Sequence, residues 1–224
     1  MINIGKITIY NNKINQGYIL ILGAKSQIGK ALARIYALNG FNLYLAGRNV
    51  EQELNKFINE IKITYKINVL CLELDITNYK SHHIFYKSII EKPIGVISLI
   101  GLTESEFSKN KNNDYNFDIL NTNYLGIIYL YDIIAEDFKT RKLGFICAIT
   151  SIAGDRGKKG NYLYAASKAA LNIYMSGQRN RLYGHNIFVT TIKLGLVDTK
   201  MINKLNYPKI IVSKPKIVAK KNIQ

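Results

Sequence analysis

Tryptophan is absent from the 224-residue chain, proline occurs three times and cysteine twice. Two cysteines cannot build a disulfide framework. Cys71 and Cys147 each fall inside an apolar run and read as small core hydrophobes of a reducing compartment. His82, His83 and His185 lack ligand spacing, so no metal is expected. No 18-residue apolar stretch exists to cross a bilayer, and no apolar leader opens the chain, so the expected location is cytoplasmic. Acids are also scarce: 15 against 31 basic residues, a formal charge of +16. Gathered on one face, that excess would mark nucleic acid, anionic lipid or a phosphorylated substrate. Here it is scattered and accompanies abundant Lys, Asn, Ile and Tyr, as AT-rich coding gives. Nucleic acid is therefore not favoured as a partner. Only the tail, from Lys214 and Lys216 to Lys220 and Lys221, is clustered, which leaves an anionic membrane surface as an alternative.

What the chain has is alternation. Apolar runs of strand length recur at Tyr18–Leu22, Asn42–Ala46, Asn68–Leu74, Gly95–Gly101, Gly144–Thr150 and Phe188–Lys193. Between them lie stretches of helical period: Lys30–Asn39, Glu51–Lys66, Asp75 to about Glu91, Asp114–Lys139, and the segment around Tyr164 to about Tyr183. Continuous rather than alternating hydrophobicity suits parallel strands covered on both faces. The expected fold is α/β, a Rossmann-like doubly wound parallel sheet in a single domain. An N-terminal extension (1–17, with Ile7 and Ile9 able to add an edge strand) precedes the main domain (18–200), and a short basic segment (201–224) follows.

Three local patterns carry chemistry. The first strand runs directly into Gly23-Ala24-Lys25-Ser26-Gln27-Ile28-Gly29 and then a helix. Glycine permits close backbone approach, and a helix N-terminus favours a pyrophosphate. At the end of the second strand, Gly47-Arg48-Asn49 carries no acid to accept from a ribose hydroxyl. Arg48 and Lys25 instead suit a 2′-phosphate, so NADP(H) is expected over NAD(H). Asp75, with Ile76 beside it, ends the third strand, where it could accept from an adenine amino group or cap the next helix. Gly101 at the tip of the fourth strand allows a close backbone approach to a cofactor.

The third pattern is Tyr164-Ala165-Ala166-Ser167-Lys168, with Ser151 thirteen positions upstream of Tyr164. Residues four apart share a helix face. An ammonium within about 4–6 Å favours a phenolate and lowers a tyrosine from its ordinary ~10. Ser151 closes the fifth strand, at the carboxyl end where open α/β sheets bind ligands. Asn123 lies inside a long helix, where asparagine is unfavourable by propensity; it marks a kink or faces solvent. Backbone groups near Gly195, Val197 and Thr199 could hold a carboxamide and approach phosphates.

With these residues in place, the chain resembles the short-chain dehydrogenase/reductase family from about Tyr18 to Thr199. The family's glycine motif falls on Gly23 to Gly29, its adenine-site aspartate on Asp75 and its active-site asparagine on Asn123. Its serine matches Ser151, its Tyr-x-x-x-Lys pair Tyr164 and Lys168, and its Pro-Gly-x-Val-x-Thr motif Gly195, Val197 and Thr199. Gln27 replaces the middle glycine, Leu194 replaces the proline, and Ser98-Leu99-Ile100-Gly101 keeps only the glycine of an Asn-Asn-Ala-Gly stretch. Ala153–Gly157 and Arg179–Leu182 are similar to a divergent bacterial subgroup related to keto-reductases acting on decaprenyl-linked sugars. The resemblance implies an NAD(P)-dependent oxidoreductase that moves hydride between nicotinamide and a carbonyl or alcohol. It implies Asn123, Ser151, Tyr164 and Lys168 as catalytic residues, Tyr164 and Lys168 also touching the cofactor. Association through the long helices bearing Asn123 and Tyr164 would bury their apolar outer faces, so a homodimer or homotetramer is expected. The competing readings are a non-catalytic dinucleotide-binding regulator or scaffold, and a basic protein that binds nucleic acid or anionic membrane.

Overall fold

The structure is a computed structural model that describes residues 17–103, 114–199 and 212–223. The expected N-terminal edge strand (Ile7, Ile9) lies outside the described residues, as do most of the loop following the fourth strand and residues 200–211. The chain divides into two compact units. One comprises Met1–Asp75, Glu91–Leu99 and Leu196–Gln224, the other Ile76–Ile90 and Ile100–Gly195.

The first unit holds β1 (Tyr18–Leu22), α1 (Gln27–Leu38), β2 (Asn42–Gly47), α2 (Val50–Tyr65), β3 (Val69–Glu73) and β4 (Gly95–Ser98). The strands run parallel in the order β3-β2-β1-β4. All five residues of β1 are buried, as suits a parallel strand paired on both sides, to β2 and to β4. Edge strand β3 is half-exposed, so Cys71 is only partly buried, unlike the buried Cys147 of the second unit. The chain winds outward from β1 to β3 and returns on β1's other side as β4. The carboxyl ends of β1 and β4 thus form a topological switch point, where Leu99 N–H donates to Leu22 O at 2.9 Å. The short basic segment contains a further helix, Pro215–Ile223, which packs against α1 with Val218 and Ala219 buried.

In the second unit, a 3₁₀ turn (Tyr79–Ser81) and a single short α3 (His82–Ser88) replace the long helix expected up to Glu91. The cap positions at the two helix starts are Asn78 and Ser81 rather than Asp75. Next come α4 (Asp114–Leu120), a π turn (Asn121–Leu125) and α5 (Gly126–Arg141), one helical path interrupted at Asn123. Then follow β5 (Gly144–Ser151), a 3₁₀ turn (Ile152–Asp155), α6 (Tyr162–Leu182) and β6 (Ile187–Leu194). Strands β5 and β6 pair in parallel, Ser151 opposite Leu194. The helix Pro215–Ile223 is α7.

Candidate functional site

In the first unit the glycine turn forms as expected, with α1 starting at Gln27, three residues earlier than the sequence suggests. Ser26 is its cap: Ser26 Oγ accepts the Gly29 N–H at 2.9 Å. Gly23 has φ 81°, a conformation glycine adopts freely. A Cβ on Gly29 would stand 2.9 Å from Ser26 Oγ and 3.0 Å from Gly23 O, so only glycine fits this close turn. Gln27, at the missing-glycine position, is the exposed first residue of α1, and no acid occupies the helix's first turn. A tight turn, a capped helix start and no opposing negative charge fit a dinucleotide pyrophosphate.

Lys25 is engaged: its ammonium pairs with Glu53 of α2 at 2.6 Å. Arg48 is exposed, with no ion pair among the described residues, and Asp75 is exposed at the β3 end. Ile76 begins the second unit, buried, with its carbonyl 3.1 Å from His82 Nε2. Val197 is buried and bridges Ser213: Ser213 N–H donates to Leu196 O and Asp198 N–H to Ser213 O, both at 2.9 Å. The bridge leaves Val197's own N–H and C=O on its other edge. Thr199 is half-buried, and Gly195, in the second unit, is exposed.

The four residues expected to act on substrate all fall in the second unit. Tyr164 and Lys168 share one face of α6, as their spacing predicts. The Lys168 Nζ lies 5.7 Å from the Tyr164 ring centroid and donates to Ile100 O at 3.1 Å. Only 3% of Lys168 is exposed. That burial pulls its ammonium down to about 8. A Cβ on Gly101 would sit 3.1 Å from the same Nζ. The glycine thus keeps room around the ammonium.

Asn123 is fully buried in the π turn, which supports the kink reading and excludes a solvent-facing side chain. Its Oδ1 accepts from Leu102 N–H at 2.6 Å. Its Nδ2 donates to Leu102 O at 2.9 Å and to Ser167 Oγ at 3.0 Å. Ser167 Oγ in turn donates to Tyr164 O at 2.7 Å. Asn123 therefore clamps the loop whose Ile100 carbonyl receives Lys168 and, through Ser167, touches the backbone of Tyr164. Ser167 and Leu102 escaped the sequence reading. Ser167 sits on the Asn123 side of a motif judged by its ends, and Leu102 contributes only backbone groups.

Ser151 Oγ accepts the Ala153 N–H at 3.1 Å, which caps the 3₁₀ turn and leaves the hydroxyl hydrogen for another acceptor. That turn packs directly on α6. A Cβ on Gly154 would lie 2.9 Å from Ala169 N and 3.0 Å from the Lys168 carbonyl carbon. So the segment beginning at Ser151 is seated on the helix turn that carries Lys168.

Among the described residues no cluster of His, Cys, Asp or Glu could hold a metal, and no helix is long and apolar enough to cross a membrane.

The chain as a whole is similar to known proteins. The family model described as short chain dehydrogenase matches residues 17–209. An uncharacterised oxidoreductase of Staphylococcus epidermidis is 26% identical over 193 residues, covering 84% of this chain and 81% of its own. One of Mycobacterium tuberculosis is 26% identical over 204 residues, 90% and 81% of the two chains. Among solved structures, a short-chain dehydrogenase from Sphingobium yanoikuyae in complex with NADPH superposes with TM-score 0.80 at 19% identity. It covers 91% of this chain and 82% of that one. A 3-oxoacyl-[acyl-carrier protein] reductase from Brucella melitensis with bound NAD gives 0.80 at 17%, covering 92% and 82%. The fold is thus the expected Rossmann-like doubly wound α/β sheet, and the chain belongs to the short-chain dehydrogenase family of NAD(P)-dependent oxidoreductases.

Proposed function

We propose that the protein is an NADP(H)-preferring carbonyl reductase or alcohol dehydrogenase of EC class 1.1.1, with Tyr164 as its general acid or base. The observation that carries this reading is the buried Lys168 ammonium 5.7 Å from the Tyr164 ring, on a helix that also seats the turn begun by Ser151. When bound, the nicotinamide supplies or accepts the hydride. Gly23, Ser26, Gln27, Ile28 and Gly29 hold the pyrophosphate, Asp75 with Ile76 the adenine end, and Arg48 with Lys25 a 2′-phosphate. Gly101 leaves space for the ribose. Gly195, Val197 and Thr199 serve the carboxamide end, Val197 through the backbone groups its bridge leaves unused. Solved relatives named as complexes with NADPH and with NAD support a nicotinamide dinucleotide of either kind.

Reduction of a ketone leaves negative charge on the carbonyl oxygen. Ser151 donates its uncommitted hydroxyl hydrogen to that oxygen. Tyr164 gives it the phenolic proton, and the adjacent Lys168 ammonium stabilises the charge left on the phenol. Asn123 fixes the loop that positions Lys168, and a water held at its π turn returns protons to that lysine. Oxidation of an alcohol uses the same groups in reverse. Charged Lys168 is needed, so activity should decline as pH rises through about 8, where its ammonium titrates. A small-molecule carbonyl or alcohol substrate, a homodimer or homotetramer and a cytoplasmic location complete the proposal.

Fluorescence titration of NADPH and NADH tests the cofactor half. The expected result is binding of both with NADPH tighter. Binding of neither removes the proposal, and tighter NADH binding removes the preference.

A further inference from the structure

The carboxyl end of β2 carries no acid, yet the fold brings one there from the next strand. Gly47, the last residue of β2, pairs in register with Glu73, the last residue of β3. Leu74 N–H donates to Gly47 O at 3.1 Å, and Glu73 Oε1 accepts the Asn49 N–H at 2.9 Å. The loop Gly47-Arg48-Asn49 is therefore tied to the β3 end at both its sides, with Asn49 in the left-handed conformation at φ 53°. Glu73 is exposed, and its second carboxylate oxygen takes no hydrogen bond among the described residues. Arg48, one residue from the anchored amide, is exposed without an ion pair among the described residues. The other cation expected to favour a 2′-phosphate, Lys25, is already held by Glu53.

We infer that Glu73 supplies, from β3, the acidic acceptor for the adenosine ribose that β2 lacks, and so opposes Arg48 in the choice between NADH and NADPH. The inference rests on the dinucleotide reading given above. A carboxylate fixed by a backbone amide accepts readily from a 2′-hydroxyl and repels a 2′-phosphate, while the guanidinium does the reverse. Cofactor choice is the difference between these two effects, not the sum of attractive contacts. Glu53 adds to the acidic side, because Lys25 must leave a 2.6 Å ion pair to reach a phosphate. The two cations alone suggest strong NADPH selectivity. With Glu73 in place the preference is modest and NADH remains a working partner.

The test is Glu73→Gln, whose amide oxygen can still accept from Asn49 and keep the loop shape. Dissociation constants for NADPH and NADH are read from reduced-nicotinamide fluorescence. Competition by adenosine 2′,5′-bisphosphate against 5′-AMP gives a second readout. Removing one full charge beside a doubly charged group in a water-like dielectric shifts affinity by about tenfold. The Kd(NADH)/Kd(NADPH) ratio should therefore rise about tenfold in Glu73→Gln and fall in Arg48→Ala. A merely structural Glu73 would weaken both nucleotides alike. A ratio that stays put while both still bind overturns the inference and leaves the dinucleotide reading intact. A wild-type protein that binds neither nucleotide overturns both.

Discussion

Burial sets the Lys168 ammonium near 8, against an ordinary 10.5, and the hydrogen bond to Ile100 O offsets only part of its lost hydration. The consequence for stability has a definite sign. Below about pH 8 folded and unfolded chains both carry the proton, and the cost of burying the charge acts in full. Between about 8 and 10.5 the unfolded chain holds more protons, so the folded state gains as pH rises. Above that window the lysine is neutral in both states and the cost is gone. Lys168→Met removes this contribution altogether. The variant's advantage in unfolding free energy should thus shrink by about 2 kcal/mol between pH 7.5 and pH 10 in urea melts of the two proteins. An advantage that is constant with pH would mean the ammonium is not buried as described. A protein that retains so costly a charge keeps it for something other than stability, which fits a lysine that works beside Tyr164.

At the scale of elements, the site depends on how turns meet helices. The 3₁₀ turn after Ser151 lies on α6 at Gly154 with no room for a side chain, since two of the three atoms nearest to an added Cβ are backbone atoms of Lys168 and Ala169. Gly154→Ala should shift the turn by tenths of an ångström and move the Ser151 hydroxyl. The expected result is a fall in kcat of about tenfold or more with unchanged NADPH affinity, measured by steady-state kinetics and titration. Normal kcat would show that Ser151 does not depend on this seat. The strands were legible because their apolar runs are continuous, most of them with a glycine at one end. The Tyr164 and Lys168 pair was legible because a four-residue spacing fixes a helix face. The π turn at Asn123 was legible only as a misfit, an asparagine in a helical stretch, because its hydrogen bonds go to a loop twenty-one residues earlier and to Ser167 on another helix. The helix expected to reach Glu91 failed since local propensity cannot register that His82 is buried against the Ile76 carbonyl. The acid at the end of β2 looked absent because register between strands, which sequence spacing does not encode, delivers Glu73.

At the scale of the whole molecule, the long helices do not present the plain apolar outer faces expected for association. Tyr174 OH and Gln178 Nε2 donate to Asp132, and Arg181 bonds Glu136 and Gln178, a polar network between α5 and α6. Exposed Tyr129, Ile173 and Tyr183 are interspersed with it. An oligomer built on these helices would therefore have a mixed polar and apolar contact. The net charge of +16 makes a separate prediction. If it is only compositional, heparin should retain the protein weakly and release it at modest salt. Tight retention with a steep salt dependence that NADPH fails to compete would favour the anionic-partner reading. The proposed catalysis turns on proton transfer by one phenol. Its most direct test is ketone-dependent NADPH oxidation by wild type and Tyr164→Phe, with NADPH affinity measured alongside. The prediction is a rate loss of roughly 10²–10⁴ with affinity nearly unchanged, whereas equal turnover by the two proteins would contradict it.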